Sequence, residues 1–178
     1  MARSTLKQAA LSRRLLFLAL TMVAGCAPLK ARSPSSTGPT PDEAHHETVV
    51  RRYFDEVWSQ GRLEVLDELL APGYINHTPS TPNPPPGPGG LKPIVAAFRV
   101  AFPDLHFTIE DLVAKDDRVA VRVRMEGVHE GPLFGIAATH RRVSVEQINI
   151  ELFRGGKIAE HWRVTDELGL MRQLGVVR

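Results

Sequence analysis

Apolar positions change period partway along the chain. Between Val49 and Trp58 the large apolar residues Val49, Val50, Tyr53, Phe54, Val57 and Trp58 recur every three to four residues, the signature of a helix with one buried face. Thr40-Pro41-Asp42-Glu43 stands ahead of them with the pattern of a capping box and a proline at the first helical position, and Gly61 is placed for a C-terminal cap. A shorter helix is predicted from Leu63 to Leu70, ended by Pro72-Gly73, and Tyr74 to His77 reads as a short extended piece. A third helix is predicted from Leu91 to Phe102, with Ile94, Val95, Phe98 and Phe102 on one side and Pro103-Asp104 as its stop.

Beyond Pro103 the period falls to two. Leu105 to Ala114, the polar turn Lys115 to Arg118, and Val119 to His129 read as a half-buried antiparallel hairpin, because Val119, Val121, Val123 and Met125 alternate with Ala120, Arg122, Arg124 and Glu126. A long strand, Arg142 to Phe153, follows the loop Glu130 to His140. The turn Arg154 to Lys157 leads into a last strand, and Leu168 to Leu174 closes the chain as a helical turn or two. Three helices followed by four strands, without a βαβ rhythm, predict an α+β domain with helices on one face of a curved antiparallel sheet, an arrangement that encloses a pocket. Thr78 to Gly90 (TPSTPNPPPGPGG) cannot be regular structure, and a loop of that length beside His77 is a candidate functional segment.

The last strand carries the first chemical expectation. Read at period two, Ile158, Trp162 and Val164 share a face with Glu160 and Asp166, while Ala159, His161, Arg163 and Thr165 share the other. If the first face is buried, Asp166 looks into an apolar interior, where loss of hydration makes a carboxylate a stronger base. A competing role is available to Asp166 as N-cap of the closing helix. Trp162 lies about 13 Å of strand away from it, which makes the indole a pocket wall and not a proton-transfer partner.

The front of the chain changes the picture of where the domain resides. Arg3, Lys7, Arg13 and Arg14 precede the apolar run Leu15 to Val23, which is too short to span a bilayer comfortably and reads as a signal peptide. It ends in Val23-Ala24-Gly25-Cys26, which resembles a bacterial lipobox with Cys26 as the lipidated residue. Cys26 is the single cysteine in the chain, so no internal disulfide is available to it. The expected organisation is therefore a leader over 1–26, a Pro/Ser-rich tether over 27–39 and a domain over 40–178, anchored by lipid to a bacterial membrane at the cell envelope. The leader holds four of the 22 basic residues and none of the 20 acidic ones, which leaves the rest at 18 against 20, a net charge of −2. The sequence pI of 8.9 belongs largely to the leader, and no basic patch remains to argue for nucleic acid.

Four stretches, YINHTP from Tyr74, GLKPIVAAFRVAFPDLHFTIEDLVAKDDRVAVR from Gly90, GVHEGPLFGI from Gly127 and GKIAEHWRVTDELGLMRQLG from Gly156, resemble in the same order the SnoaL-like polyketide and ester cyclases. The resemblance runs from about Glu47 to Gly175. It implies the cone-shaped, cystatin-type α+β fold of the ketosteroid-isomerase and nuclear-transport-factor group, and cofactor-free acid/base chemistry in which an Asp matching Asp166 removes a proton alpha to a carbonyl. It also implies that His77 lines the cavity as a donor to the developing enolate, and that polar groups on the long strand face inward. Two departures stand out: Ala137-Ala138-Thr139-His140 replaces a more usual Pro-Thr-Gly, and the Pro-rich insertion before Gly90 is long.

On the long strand Gln147 and Asn149 share a face with Val143 and Val145, opposite Ile148, Ile150 and Leu152; either row is free to face the cavity, and the resemblance favours the first. Asp166 and His77 are thus the catalytic candidates, and Trp162, Gln147, Asn149, His129 and Tyr74 the substrate-binding ones. His161 falls on the polar face as a structural residue, and His45-His46 lacks the spacing and carboxylate of a metal site. The expected partner is a small apolar carbonyl compound, with no cofactor. An enzyme, a non-catalytic module that binds such a ligand at the envelope, and a scaffold that dimerises through its open sheet face all remain open, because this fold hosts each of them.

Overall fold

The computed structural model describes residues 38–178, so the expected signal peptide, Cys26 and most of the tether lie outside the described residues. Helix α1, Pro41–Arg52, starts at the expected capping box: Thr40 Oγ1 accepts from the Glu43 amide at 3.2 Å and the Glu43 carboxylate accepts from the Thr40 amide at 2.7 Å. The helix continues without a break into a π-helical segment, Tyr53–Ser59. Its wider turn is closed by Ser59 Oγ donating to the Phe54 carbonyl, and Tyr53, Phe54, Val57 and Trp58 are all buried along it. A 3₁₀ turn, Leu63–Val65, leads into the short α2, Leu66–Leu69.

The expected second helix ends one residue early because Leu70 is already extended, and it opens strand β1, Leu70–Asn76. Pro72 and Gly73 therefore lie within β1 rather than ending a helix. They occupy the stretch where pairing with the neighbouring strand lapses, an edge position that tolerates a missing amide. Helix α3, Pro88–Ala101, begins three residues earlier than expected, within the Pro-rich segment, because a proline is tolerated in the first turn of a helix, and it is followed by the strands β2, His106–Lys115, β3, Arg118–Val128, β4, Arg142–Arg154, and β5, Lys157–Thr165. Helix α4, Glu167–Leu174, ends at Gly175 in the left-handed region.

The sheet order is β1-β5-β4-β3-β2. The α+β class with a curved sheet holds, but the sheet is mixed: β1 runs parallel to β5, and the expectation of a wholly antiparallel sheet is corrected on that edge. Strand β1 was legible in sequence only as the extended piece Tyr74 to His77. One sheet face carries the buried rows Val119, Val121, Val123, Met125 and Val143, Val145, packed against an aromatic cluster formed by Phe54, Trp58 and Phe98 from the helices and Phe107 from β2. The other face bears Ile148, Ile150 and Val164, all exposed, beside an ion-pair lattice of Arg122, Arg124, Glu110, Asp111 and Glu146.

The Pro-rich segment folds back over the mouth of the cone. Gly87, with φ 83°, donates its amide to the Tyr74 carbonyl, and a Cβ on Gly90 would overlap the Pro85 carbonyl, so the segment and the first turn of α3 are in backbone contact.

Candidate active site

One extra residue in β5 decides which side chains reach the interior. Leu152 pairs with Glu160 and Phe153 with Ile158, so Ala159 is a bulge, and both Ile158 and Ala159 point inward. A single inserted residue exchanges the two faces of everything beyond it. Past the bulge, His161, Arg163 and Thr165 therefore line the interior, while Glu160, Trp162 and Val164 turn outward, the reverse of the alternation expected from sequence.

The expectation for Asp166 is corrected on the same ground. Its carboxylate is exposed and accepts from the Gly169 amide at 2.8 Å, the geometry of an N-cap on α4. Trp162 is not a pocket wall: it stacks on His77 at 4.4 Å with 7° between the rings, beneath the Arg118 guanidinium, on the outer face. His77 is drawn to that face too, donating from Nε2 to Glu160 at 2.8 Å. His129 is fully buried away from the cavity, against Phe102, with Nδ1 accepting from the Thr139 amide; burial pushes its pKa below the ordinary histidine range. Tyr74 is buried and lines a separate pocket of about 240 Å³ under the Pro-rich segment, together with Asn76, Leu91, Ile94 and Pro84 to Pro86.

Gln147 and Asn149 are in the row that faces inward, together with Val143, Val145 and Glu151. Across β4 and β5 the inward residues oppose each other in three consecutive pairs: Gln147 with Thr165, Asn149 with Arg163, and Glu151 with His161. The deepest pair is an acid and a base. His161 Nδ1 donates to Glu151 Oε1 at 2.8 Å, and the two residues are 4% and 0% exposed. With Nδ1 committed to the carboxylate, Nε2 is the ring nitrogen left to a ligand. Around this pair, burial foremost and the neighbouring Glu151 charge push the Tyr53 and Tyr74 hydroxyls well above the ordinary tyrosine range, so both stay protonated donors at neutral pH.

The cavity has two chambers that share Ser80, Phe98, Gln147 and Arg163. The inner one, about 10 Å³, touches His161, Asn149, Asn76 and the aromatic rings of Tyr53 and Trp58; it has room for about one water-sized group. The outer one, about 270 Å³, is walled by Met125, Val145, Leu170 and Phe134. Arg163 stands between them, its Nη2 donating to Ser80 Oγ at 2.9 Å and its amide to Thr78 Oγ1 at 2.8 Å, which ties the Pro-rich segment to β5. Among the described residues no group of three or more His, Cys, Asp or Glu is placed to hold a metal ion.

Sequence reasoning missed His161 and Arg163 as cavity residues and Glu151 as the buried partner of His161. Glu151 was findable, since it continues the odd-numbered row of Val143 to Asn149. His161 and Arg163 were not, because nothing local marks Ala159 as a bulge.

A curved mixed sheet wrapped on helices, with a polar ladder at the closed end of an apolar cavity, defines a cone-shaped α+β domain built to surround a small molecule. The chain belongs to the SnoaL-like polyketide cyclase family, whose model matches residues 48–174. It is 33% identical over 134 residues to the aklanonic acid methyl ester cyclase DauD of Streptomyces sp. (strain C5), covering 71% of this chain and 80% of that one. It is 29% identical over 120 residues to the nogalonic acid methyl ester cyclase of Streptomyces nogalater, covering 66% and 89%. Among solved structures, TsrD from Streptomyces laurentii is 32% identical and superposes with a TM-score of 0.69 over 75% of this chain and 97% of that one.

Proposed function

We propose that this protein is a cofactor-independent cyclase-type enzyme in which His161 is the acid/base group and Glu151 its positioning residue. The observation that carries the reading is the buried 2.8 Å bond between His161 Nδ1 and Glu151 Oε1 at the closed end of the cavity. A carboxylate that holds one ring nitrogen fixes the tautomer and supports the positive charge when the other nitrogen takes a proton. His161 Nε2 removes a proton from the carbon alpha to a carbonyl. The electron pair moves onto the carbonyl oxygen as an enolate, and the Gln147 amide donates to that oxygen. The enolate carbon then attacks a second carbonyl of the same molecule, a carbon–carbon bond closes the ring, and the imidazolium returns its proton to the new alkoxide. The names of the cyclase relatives support a polyketide-derived carbonyl substrate.

The test is ring closure of a 1,3-dicarbonyl substrate as a function of pH. General acid/base groups contribute roughly 10²–10⁴ in rate, so His161→Gln should lose turnover by that factor. Glu151→Gln should lower kcat and move the pH profile while KM changes little, an outcome that a purely structural role would not produce.

The same proposal includes export and anchoring. The basic start, the apolar run and the Val23 to Cys26 lipobox support a lipid on Cys26 that holds the domain at a bacterial membrane. Cys26→Ser should release the protein from membranes, and mass spectrometry of the parent's N-terminal peptide should find a diacylglyceryl group; an unmodified thiol in the parent would contradict the anchor. The exposed outer strip of Ile148, Ile150 and Val164 supports a homodimer formed through the sheet face.

A further inference from the structure

The middle pair of the inward ladder puts a cation where an apolar carbonyl ligand needs none. Arg163 lines both chambers, yet it makes no ion pair among the described residues; the side-chain bond recorded for it is the one to neutral Ser80 Oγ. An arginine head carries five N–H donors, so one bond leaves most of them unused.

Its neighbours in the ladder add to the same imbalance. Asn149 is 1% exposed, lines the inner chamber, and its Nδ2 donor has no hydrogen-bond partner among the described residues. Thr165 Oγ1, on the wall of the outer chamber, is buried and equally without a partner. Leaving buried donors unsatisfied costs about 1–3 kcal/mol each, which makes such a cluster rare unless something fills it. The nearest acidic groups do not fill it. Glu151 gives Oε1 to His161 and keeps Oε2 without a partner among the described residues, but it makes no ion pair with the guanidinium, and neither does the exposed Glu167 on the wall of the outer chamber. A charged planar donor flanked by neutral donors, inside an apolar enclosure, matches a carboxylate, which accepts two parallel N–H bonds from a guanidinium and has lone pairs to spare.

We infer that Arg163, with Asn149 and Thr165, forms a carboxylate-binding subsite, so that the ligand of this protein is a free acid and not the neutral methyl ester for which the cyclase relatives are named. The inference rests on the cavity being the substrate site, but not on His161 being the base. The acid group, seated between the chambers, holds the apolar body of the ligand in the outer space. That space, at about 270 Å³, is less than twice the roughly 150 Å³ that accommodates benzene, so it admits a ligand of one or two rings.

The experiment is calorimetric titration of the full-length chain with benzoate and, separately, with methyl benzoate, a pair that differs in the charge at one end. Benzoate should bind at least about tenfold more tightly. Arg163→Gln should weaken benzoate by that factor while leaving the ester unchanged, and Arg163→Lys should keep part of the preference. Equal or tighter binding of the ester, no binding of either probe, or a preference that survives in a folded Arg163→Gln variant would each overturn the inference. His161→Gln separates this result from the catalytic reading. An acid preference retained in that variant, alongside a parent that turns nothing over, leaves the subsite standing and removes the enzyme.

Discussion

His161 and Asp166 are five residues apart, yet one is buried beside the cavity and the other caps a helix at the surface. Asp166 is exposed and spends its carboxylate on the Gly169 amide, so Asp166→Ala should cost about 0.5–2 kcal/mol of stability, read as a lower denaturant midpoint with unchanged slope. Asp166→Asn keeps an acceptor at the cap and should be nearly neutral. His161 has the opposite surroundings: almost no exposure, a carboxylate on one nitrogen and the cavity beside it. Alternation put Gln147 and Asn149 in one row with Val143 and Val145, because β4 is regular from Arg142 to Glu151, but which row faces inward was read from the family resemblance and not from the pattern. The same reasoning failed on β5, where Ile158 was a true marker of the interior and Trp162, beyond the bulge, a false one. An aromatic residue reads as buried in a pattern, yet here the indole satisfies itself by stacking on His77 at the surface.

At the scale of elements, helix α1 and the β2–β3 turn are coupled through one carboxylate. Glu43 accepts from the Thr40 amide, the Asp116 amide and Lys115 Nζ, and those bonds, the Thr40 amide foremost, pull its pKa down to about 2. A carboxylate whose folded pKa lies below its unfolded value of 4.5 contributes stability that is complete above pH 4.5 and is lost as pH falls from there toward 2. Acid unfolding should therefore contain a limb in that window, and Glu43→Gln should flatten it; an unchanged acid limb in the variant would refute the coupling. The capping box itself was visible in the sequence, since its spacing is local. Its second partner, 73 residues away at Asp116, was not, because only the folded sheet brings that turn to the helix start. Strand β1 was similarly half-legible: its Pro72-Gly73 reads locally as a break, and only parallel pairing with β5 makes it an irregular edge.

At the scale of the whole molecule the sheet has one face turned to the cavity and one turned to solvent. The fold class, the helical layer and the enclosed pocket were legible from the change of period at Pro103, which is a property of long segments and survives local irregularities. The outer strip is different in kind. Val164 is 75% exposed and pairs across strands with Ile148, while Ile150 pairs with Trp162, which leaves an apolar band bordered by charges on the open sheet. If a second copy covers that band, Ile150→Lys should convert the dimer to a monomer in sedimentation velocity with the monomer's thermal midpoint unchanged; a parent that sediments as a monomer at all concentrations would contradict the proposed pairing.

The central claim is that proton transfer in this cavity belongs to His161. Deuterium exchange at the carbon alpha to the carbonyl of 1-tetralone, followed by proton NMR against a buffer blank, measures that transfer without requiring ring closure. The parent should accelerate exchange, Asp166→Asn should match it within about twofold, and His161→Gln should fall by roughly 10² or more toward the blank. Exchange that survives in His161→Gln and disappears in Asp166→Asn, or a parent no faster than buffer, would contradict it.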